Sequence, residues 1–183
     1  MLSKNLANYR LLLASNAVFS FAFGVFTPFW IIFIQGFGGG LQQLGIALGL
    51  MALAQSVTSY FAGRWSDRLG RKPFVLFPTF ALSAVTLGYA FVNSIHLLYV
   101  LQVANGIISA MLVTALTAFL GDLTKKVSRG TDIGKFHAVV GIAAAIGIIA
   151  GGFILSAQDM RLMFYFTAAL ILISGVIVAL IKE

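Results

Sequence analysis

Charged and amide side chains are scarce in this chain, and their positions single them out. Only 9% of its 183 residues are charged. Four of the twelve Lys and Arg, and one of the five acids, fall in the stretch Gly63-Arg64-Trp65-Ser66-Asp67-Arg68-Leu69-Gly70-Arg71-Lys72-Pro73. Asp67, Arg68, Arg71 and Lys72 can form ion pairs. Arg71 offers a planar fork that suits a carboxylate. A second charged stretch, Gly121 to Lys135, holds Asp122 and Asp132 among four basic residues. His137 follows it. That imidazole is either a proton switch near neutral pH or an interfacial residue and partner for Asp122 or Asp132.

Polar residues also recur inside long apolar runs, at helical spacing. Asn16, Ser20, Gly24 and Thr27 follow steps of 4, 4 and 3, which places them on one helix face. Gln55 and Ser59 are one turn apart. Gln102, Asn105 and Ser109 form a stripe at i, i+3 and i+7. An amide facing lipid leaves four hydrogen-bonding valences empty, so Asn16, Gln55, Gln102 and Asn105 are assigned to a cavity. Ser and Thr can instead bond to carbonyls of their own helix. No acid lies inside an apolar run, whereas intramembrane carboxylates are the usual proton and sodium carriers. The cavity chemistry therefore suits a neutral or amphipathic small molecule. No nucleophile–base pair, metal-ligand cluster, phosphate-binding loop or dinucleotide fingerprint stands out, so neither an enzyme, a metal nor a cofactor is expected.

These side chains must be positioned by membrane helices. The chain is 60% hydrophobic, with a mean hydropathy of +1.01. A water-soluble fold of this size could not hide so much apolar surface. Six runs of about 20 residues predict an all-α, polytopic protein with spans over 11–34, 41–62, 73–92, 95–120, 136–155 and 161–181. Pro28 should bend the first span near its far end, with Phe29 and Trp30 beside it in an interfacial belt. Pro73 is expected to open the third span, and residues 156–160, with Asp159, to form a tight turn. The first apolar run is too long for a signal peptide. The net charge of +7 comes from short loops, which excludes a nucleic-acid surface. Placing the N-terminus, the 2–3 and 4–5 loops and the C-terminus together puts every Lys and Arg except Arg161 on one side. By the positive-inside rule that side, with both termini, is cytoplasmic.

The spacing Gly63-x-x-x-Asp67-Arg68-x-Gly70-Arg71-Lys72 resembles the signature loop of the major facilitator superfamily, between its second and third helices. The resemblance extends over the whole chain as one six-helix half, a 3+3 inverted repeat in the cell membrane. It implies a transporter with a cytoplasmic gate in which Arg71 pairs with Asp122 at the end of helix 4 and Asp67 joins the cluster. It also implies a cavity lined by helices 1, 2, 4 and 5, with helices 3 and 6 peripheral. Leu98, Gln102, Asn105 and Gly106 are similar to a helix-4 family pattern, with Gln102 where proton-coupled members carry Arg. That departure argues against proton antiport. Gly147-Ile148-Ile149-Ala150-Gly151-Gly152 resembles the family's helix-5 antiporter pattern, with Ile148 in place of Pro. A plain packing role suffices for Ala143, Gly147, Gly151 and Gly152, because small residues let helices touch closely.

Family members usually carry two such halves with the solute site between them. A lone half would leave a polar, glycine-rich face against lipid, which is costly. The expectation is a parallel homodimer, with Asp67 meeting the Gly134–Lys135 region of a second copy. The alternatives are a non-transporting membrane module, or a half that needs a different second half, including the N-terminal part of a twelve-helix transporter.

Overall fold

The computed structural model describes residues 2–157 and 160–182. Gln158, Asp159 and Glu183 lie outside the described residues. Among the described residues there are only helices and short connections. They are α1 (Leu2–Phe26), a 3-10 turn (Thr27–Phe29), α2 (Trp30–Gln35), α3 (Leu41–Leu69), α4 (Arg71–Tyr89), α5 (Ile95–Leu123), α6 (Arg129–Ala157) and α7 (Met160–Ala179).

The apolar runs set the helices, and the punctuation differs from the sequence expectation at four places. Pro28 does more than bend the first run: it breaks it into α1 and α2 through one tight turn. The expected basic loop at 63–72 is almost entirely helical. α3 continues through Asp67 and Arg68 to Leu69, and the link to α4 is Gly70 alone. Gly70 has φ +96° and ψ 152°, a region essentially reserved for glycine. α4 therefore begins at Arg71, two residues before Pro73, and it accommodates Pro78 in its interior. The second charged stretch is also mostly helix, because α6 starts at Arg129 rather than at Phe136. Ser128 donates to the Asp132 carboxylate at 2.7 Å in its first turn, where negative charge suits the helix dipole. Arg129 Nη2 donates to the Gly121 carbonyl at 3.0 Å, covering the end of α5. Ser156 and Ala157, expected in a turn, extend α6.

Among the described residues, five segments are long and apolar enough to cross a membrane: Leu6–Gln35, Leu41–Leu69, Ile95–Leu123, Arg129–Ile154 and Met160–Ala179. α4 is not among them. Its 19 residues open with Arg71, Lys72 and Pro73 and would extend about 28 Å as helix. It packs against α5 and α7.

The main helix pairs are α1 with α6, α3 with α5, α1 with α7, α4 with α5 and α4 with α7. Exchanging α1, α3 and α4 for α5, α6 and α7, in that order, leaves this set unchanged. Hydrogen bonds tie the pairs: Ser15 Oγ donates to the Ser174 carbonyl at 3.0 Å, and Ser83 Oγ to the Ala168 carbonyl at 2.8 Å. Ser83 and Ser174 thus link helices rather than bonding to their own. Both chain ends lie at one end of the bundle, because Asn8 Nδ2 donates to the Lys182 carbonyl at 2.7 Å and Lys182 N to Asn8 Oδ1 at 3.2 Å. Tyr9 donates to the Asp132 carbonyl at 2.8 Å, which brings the start of α6 to the same end.

Two apolar clusters fill the bundle. One, toward the chain ends, holds Leu12, Phe74, Leu112, Phe136 and Ile181. The other is aromatic and lies at the far end. Trp30 stands edge-on to Tyr89 at 4.9 Å and to Phe26 at 5.6 Å, and Phe33 meets Phe164 at 4.7 Å. Trp30 is buried, so it belongs to this core and not to an interfacial belt.

Candidate functional site

A cavity of about 210 Å³ opens beside the break between α1 and α2. Phe23 and Phe26 bring one side, and Thr27, Pro28, Trp30 and Ile31 of the broken segment the next. Leu44, Leu48 and Met51 of α3 form the facing wall, and Gln102 and Asn105 of α5 close it. The walls carry no charge. The break matters because irregular backbone at membrane depth is tolerated where it lines a cavity. Asn105 and Asp122 are 17 positions apart on α5, about 25 Å along the helix. The cavity therefore lies toward the end away from the chain termini.

The polar wall is a directed chain of hydrogen bonds. Ser109 Oγ donates to Asn105 Oδ1 at 2.8 Å, and Asn105 Nδ2 donates to the Tyr89 hydroxyl at 3.1 Å. That hydroxyl donates in turn to Gln102 Oε1 at 2.9 Å. Gln102 Nε2 has no partner. Gln102, Asn105 and Tyr89 are all buried, to 1%, 4% and 0% exposure, so an empty donor here is costly.

Of the eight residues assigned to a cavity from sequence, Thr27, Gln102 and Asn105 reach this one, and Ser109 supports Asn105. The others do not line it. Asn16 is buried but donates to the Leu12 carbonyl of its own helix at 2.9 Å, and Ser20, Gln55 and Ser59 are part-exposed. Helix α6 contributes nothing to the wall, contrary to the expectation for the fifth span. Sequence spacing does not single out Tyr89. It sits on α4, a helix read as peripheral, and a lone Tyr near the end of an apolar run carries no spacing signal.

At the opposite end, Arg71 pairs with Asp67 and reaches Asp122 Oδ2 through Nε at 3.4 Å. It also donates to Ser66 Oγ at 3.0 Å. The Gly70 turn makes the first pair, since it brings Arg71 at the start of α4 back to Asp67 at the end of α3. Asp67 thus has its partner within the same chain. Both acids are well exposed, and exposed pairs add at most about 1 kcal/mol. Arg68 and Lys72 flank the cluster, while Gly63 sits within α3 with ordinary space for a side chain. His137 is exposed, two turns into α6. Its two expected partners are engaged elsewhere, Asp122 with Arg71 and Asp132 with Ser128.

The glycines of α6 are divided in role. A Cβ on Gly147 or Gly151 would run into the carbonyls of Phe21 and Val25 on α1, and one on Gly24 into the Ala144 carbonyl. Gly106 brings α5 equally close to Met51 of α3. Gly152, also expected to pack, is exposed and has room for a methyl. The α1 contact falls at Ala144 rather than at Ala143.

The comparisons agree with this architecture. The family model described as Major Facilitator Superfamily matches residues 12–183. An uncharacterized MFS-type transporter of Bacillus subtilis, YitZ, is 27% identical over 155 residues, covering 85% of this chain and 94% of that protein. Multidrug resistance protein 2 of the same species is 30% identical over 175 residues, covering 94% of this chain but 44% of that protein. The chain therefore spans nearly all of one relative and under half of the other. A crystal structure of a bacterial homolog of the human lysosomal transporter Spinster, inward-facing and unoccupied, matches 99% of this chain and 43% of that one with a TM-score of 0.71. At 16% identity that likeness concerns the fold. With apolar membrane-length helices, a helical bundle of matching fold and a family match over nearly its whole length, this chain belongs to the Major Facilitator Superfamily, a family of membrane transporters and not of enzymes.

Proposed function

We propose that the chain is one six-helix half of a facilitator-type transporter in the cell membrane, with α1–α2 acting as a single span and α4 as the third. It moves a small neutral or amphipathic solute by alternating access, paired in parallel with a second copy of itself. The swap-symmetric helix pairing supports a 3+3 inverted repeat, and the basic residues at the Asn8–Lys182 end support cytoplasmic termini. The cavity of Phe23, Phe26, Trp30, Gln102 and Asn105 is the solute site, and the Asp67–Arg71–Asp122 cluster is the cytoplasmic gate. A relative named for multidrug resistance fits an apolar, uncharged cavity.

The observation that carries this reading is the exposed apolar surface of α3 and α6, each of which packs mainly on a single neighbouring helix. Only 6% of the most apolar window of α3 and 11% of that of α6 is buried, against 39–44% for the other three such segments. Gly45, Gly49 and Gly141 on these helices face open space. A second half docked on this face would cover them. YitZ, of nearly the same length, supports a second copy; the greater length of multidrug resistance protein 2 supports a different second half as the other reading.

Val57 and Ile142 are exposed, and lie 12 and 13 positions from the basic ends of α3 and α6. The chain has no Cys. A V57C/I142C chain should give an intermolecular disulfide dimer in membranes. A product absent from membranes in which the purified chain alone still transports would exclude the parallel pairing. Ser66, at the charged end, is buried and unsuited to such a test.

A further inference from the structure

Among the described residues, Gln102 Nε2 is the buried side-chain polar atom without a partner, on a residue that lines the cavity, and the groups behind it set which end of the amide that is. Asn105 Nδ2 donates to the Tyr89 hydroxyl, and the nearer acceptor for that hydroxyl's single proton is Gln102 Oε1 at 2.9 Å, against the Leu101 carbonyl at 3.4 Å. Ser109 holds Asn105 in the orientation that offers Nδ2 to Tyr89. The carbonyl end of Gln102 is thereby consumed and its amide N–H end is left over. The rest of the wall is aromatic and aliphatic, with Phe23, Phe26 and Trp30 nearest the break.

We propose that Gln102 Nε2 is the specificity-determining contact of this cavity. It selects flat, largely apolar aromatic molecules that carry an uncharged hydrogen-bond acceptor, such as a ring carbonyl. Tyr89 is a positioning residue that fixes which end of the amide the ligand meets. A ligand lacking the acceptor leaves a buried donor empty, and sites built with a polar contact discriminate strongly against such analogues. This inference rests on reading the cavity as the solute site.

The test uses 9-fluorenone and fluorene, two flat tricyclic molecules that differ by a carbonyl in place of a methylene. Each is radiolabelled and dialysed to equilibrium against the full chain in lipid nanodiscs, with binding to empty nanodiscs subtracted. The chain should bind the ketone on the order of tenfold more tightly than the hydrocarbon. Gln102→Leu should abolish that preference by weakening the ketone, while fluorene binds as well or better. Tyr89→Phe should reduce the preference although it touches neither probe, because the amide of Gln102 is then free to turn. Equal binding of both probes to the unaltered chain, or a preference that survives Gln102→Leu, overturns the inference and leaves the cavity as a solute site. Binding of neither probe overturns both. If Gln102→Leu does not fold, Gln102→Met keeps the volume and answers the same question.

Discussion

The Tyr89 hydroxyl donates to Gln102 Oε1 at 2.9 Å and accepts from Asn105 Nδ2 at 3.1 Å, joining α4 to two successive turns of α5. One phenol therefore bonds to two buried amides that lie one helical turn apart. Replacing it with Phe keeps the ring against Trp30 but leaves both amides short of a partner. Tyr89→Phe is expected to lower stability by about 1–3 kcal/mol, read as a shifted midpoint in SDS titration. A double-mutant cycle with Gln102→Leu should give a coupling of about 0.5 kcal/mol or more. A coupling near zero would show that the hydroxyl does not hold the amide.

Neighbouring glycines on α6 should respond differently to the same methyl. At Gly151 the new Cβ would collide with the Val25 carbonyl, and backbone cannot rotate away as a side chain does. Gly151→Ala should cost about 3 kcal/mol by forcing α1 and α6 apart. At Gly152 the nearest atom is Phe29 Cζ at 3.8 Å, so Gly152→Ala should change stability by no more than about 0.5 kcal/mol. Thermal unfolding of the two variants in one detergent compares them directly; equal losses would refute the close α1–α6 approach.

Asp122 tests whether the ionic cluster serves stability or motion. It is exposed, and Arg71 keeps Asp67 and Ser66 when it is gone. Asp122→Asn should therefore cost less than about 1 kcal/mol. If the pair is a gate, the same change should alter transport rates in proteoliposomes several-fold at nearly constant stability, whereas a parallel fall in both would mark the pair as structural.

Orientation is open to a labelling test. Val127 is fully exposed in the α5–α6 connection, and the chain contains no Cys. A single cysteine from Val127→Cys should react with a membrane-impermeant maleimide in inside-out vesicles and be protected in intact cells. Labelling of intact cells would reverse the assignment of the termini.

Much of the scaffold was legible from residues alone. The long apolar runs predict helices because a membrane leaves backbone groups no other partners, and Pro28 marks a break because it has no N–H to give. The stripe Gln102, Asn105 and Ser109 falls on one helix face through its spacing, and the structure places it on the cavity wall or directly behind it. Charge marks the basic stretch as a connection, whereas the structure makes it helix on both sides of Gly70. Arg64 and Arg68 are good helix formers, and only Gly70, at positive φ, ends α3.

What the sequence by itself determined is the class of solvent, the positions of the helices to within a turn or two at most ends, and the end of the bundle that is charged. Each of these follows from local composition and period. Tertiary structure decided which helix touches which, and so which polar residues share a cavity. Asn16 and Gln102 are both amides in apolar runs, but only crossing geometry turns one onto its own helix and the other toward Tyr89. It also decided that Gly147 and Gly151, but not Gly152, must lack a side chain. A helix that follows later in the chain can stand against any face, and nothing in local periodicity says which.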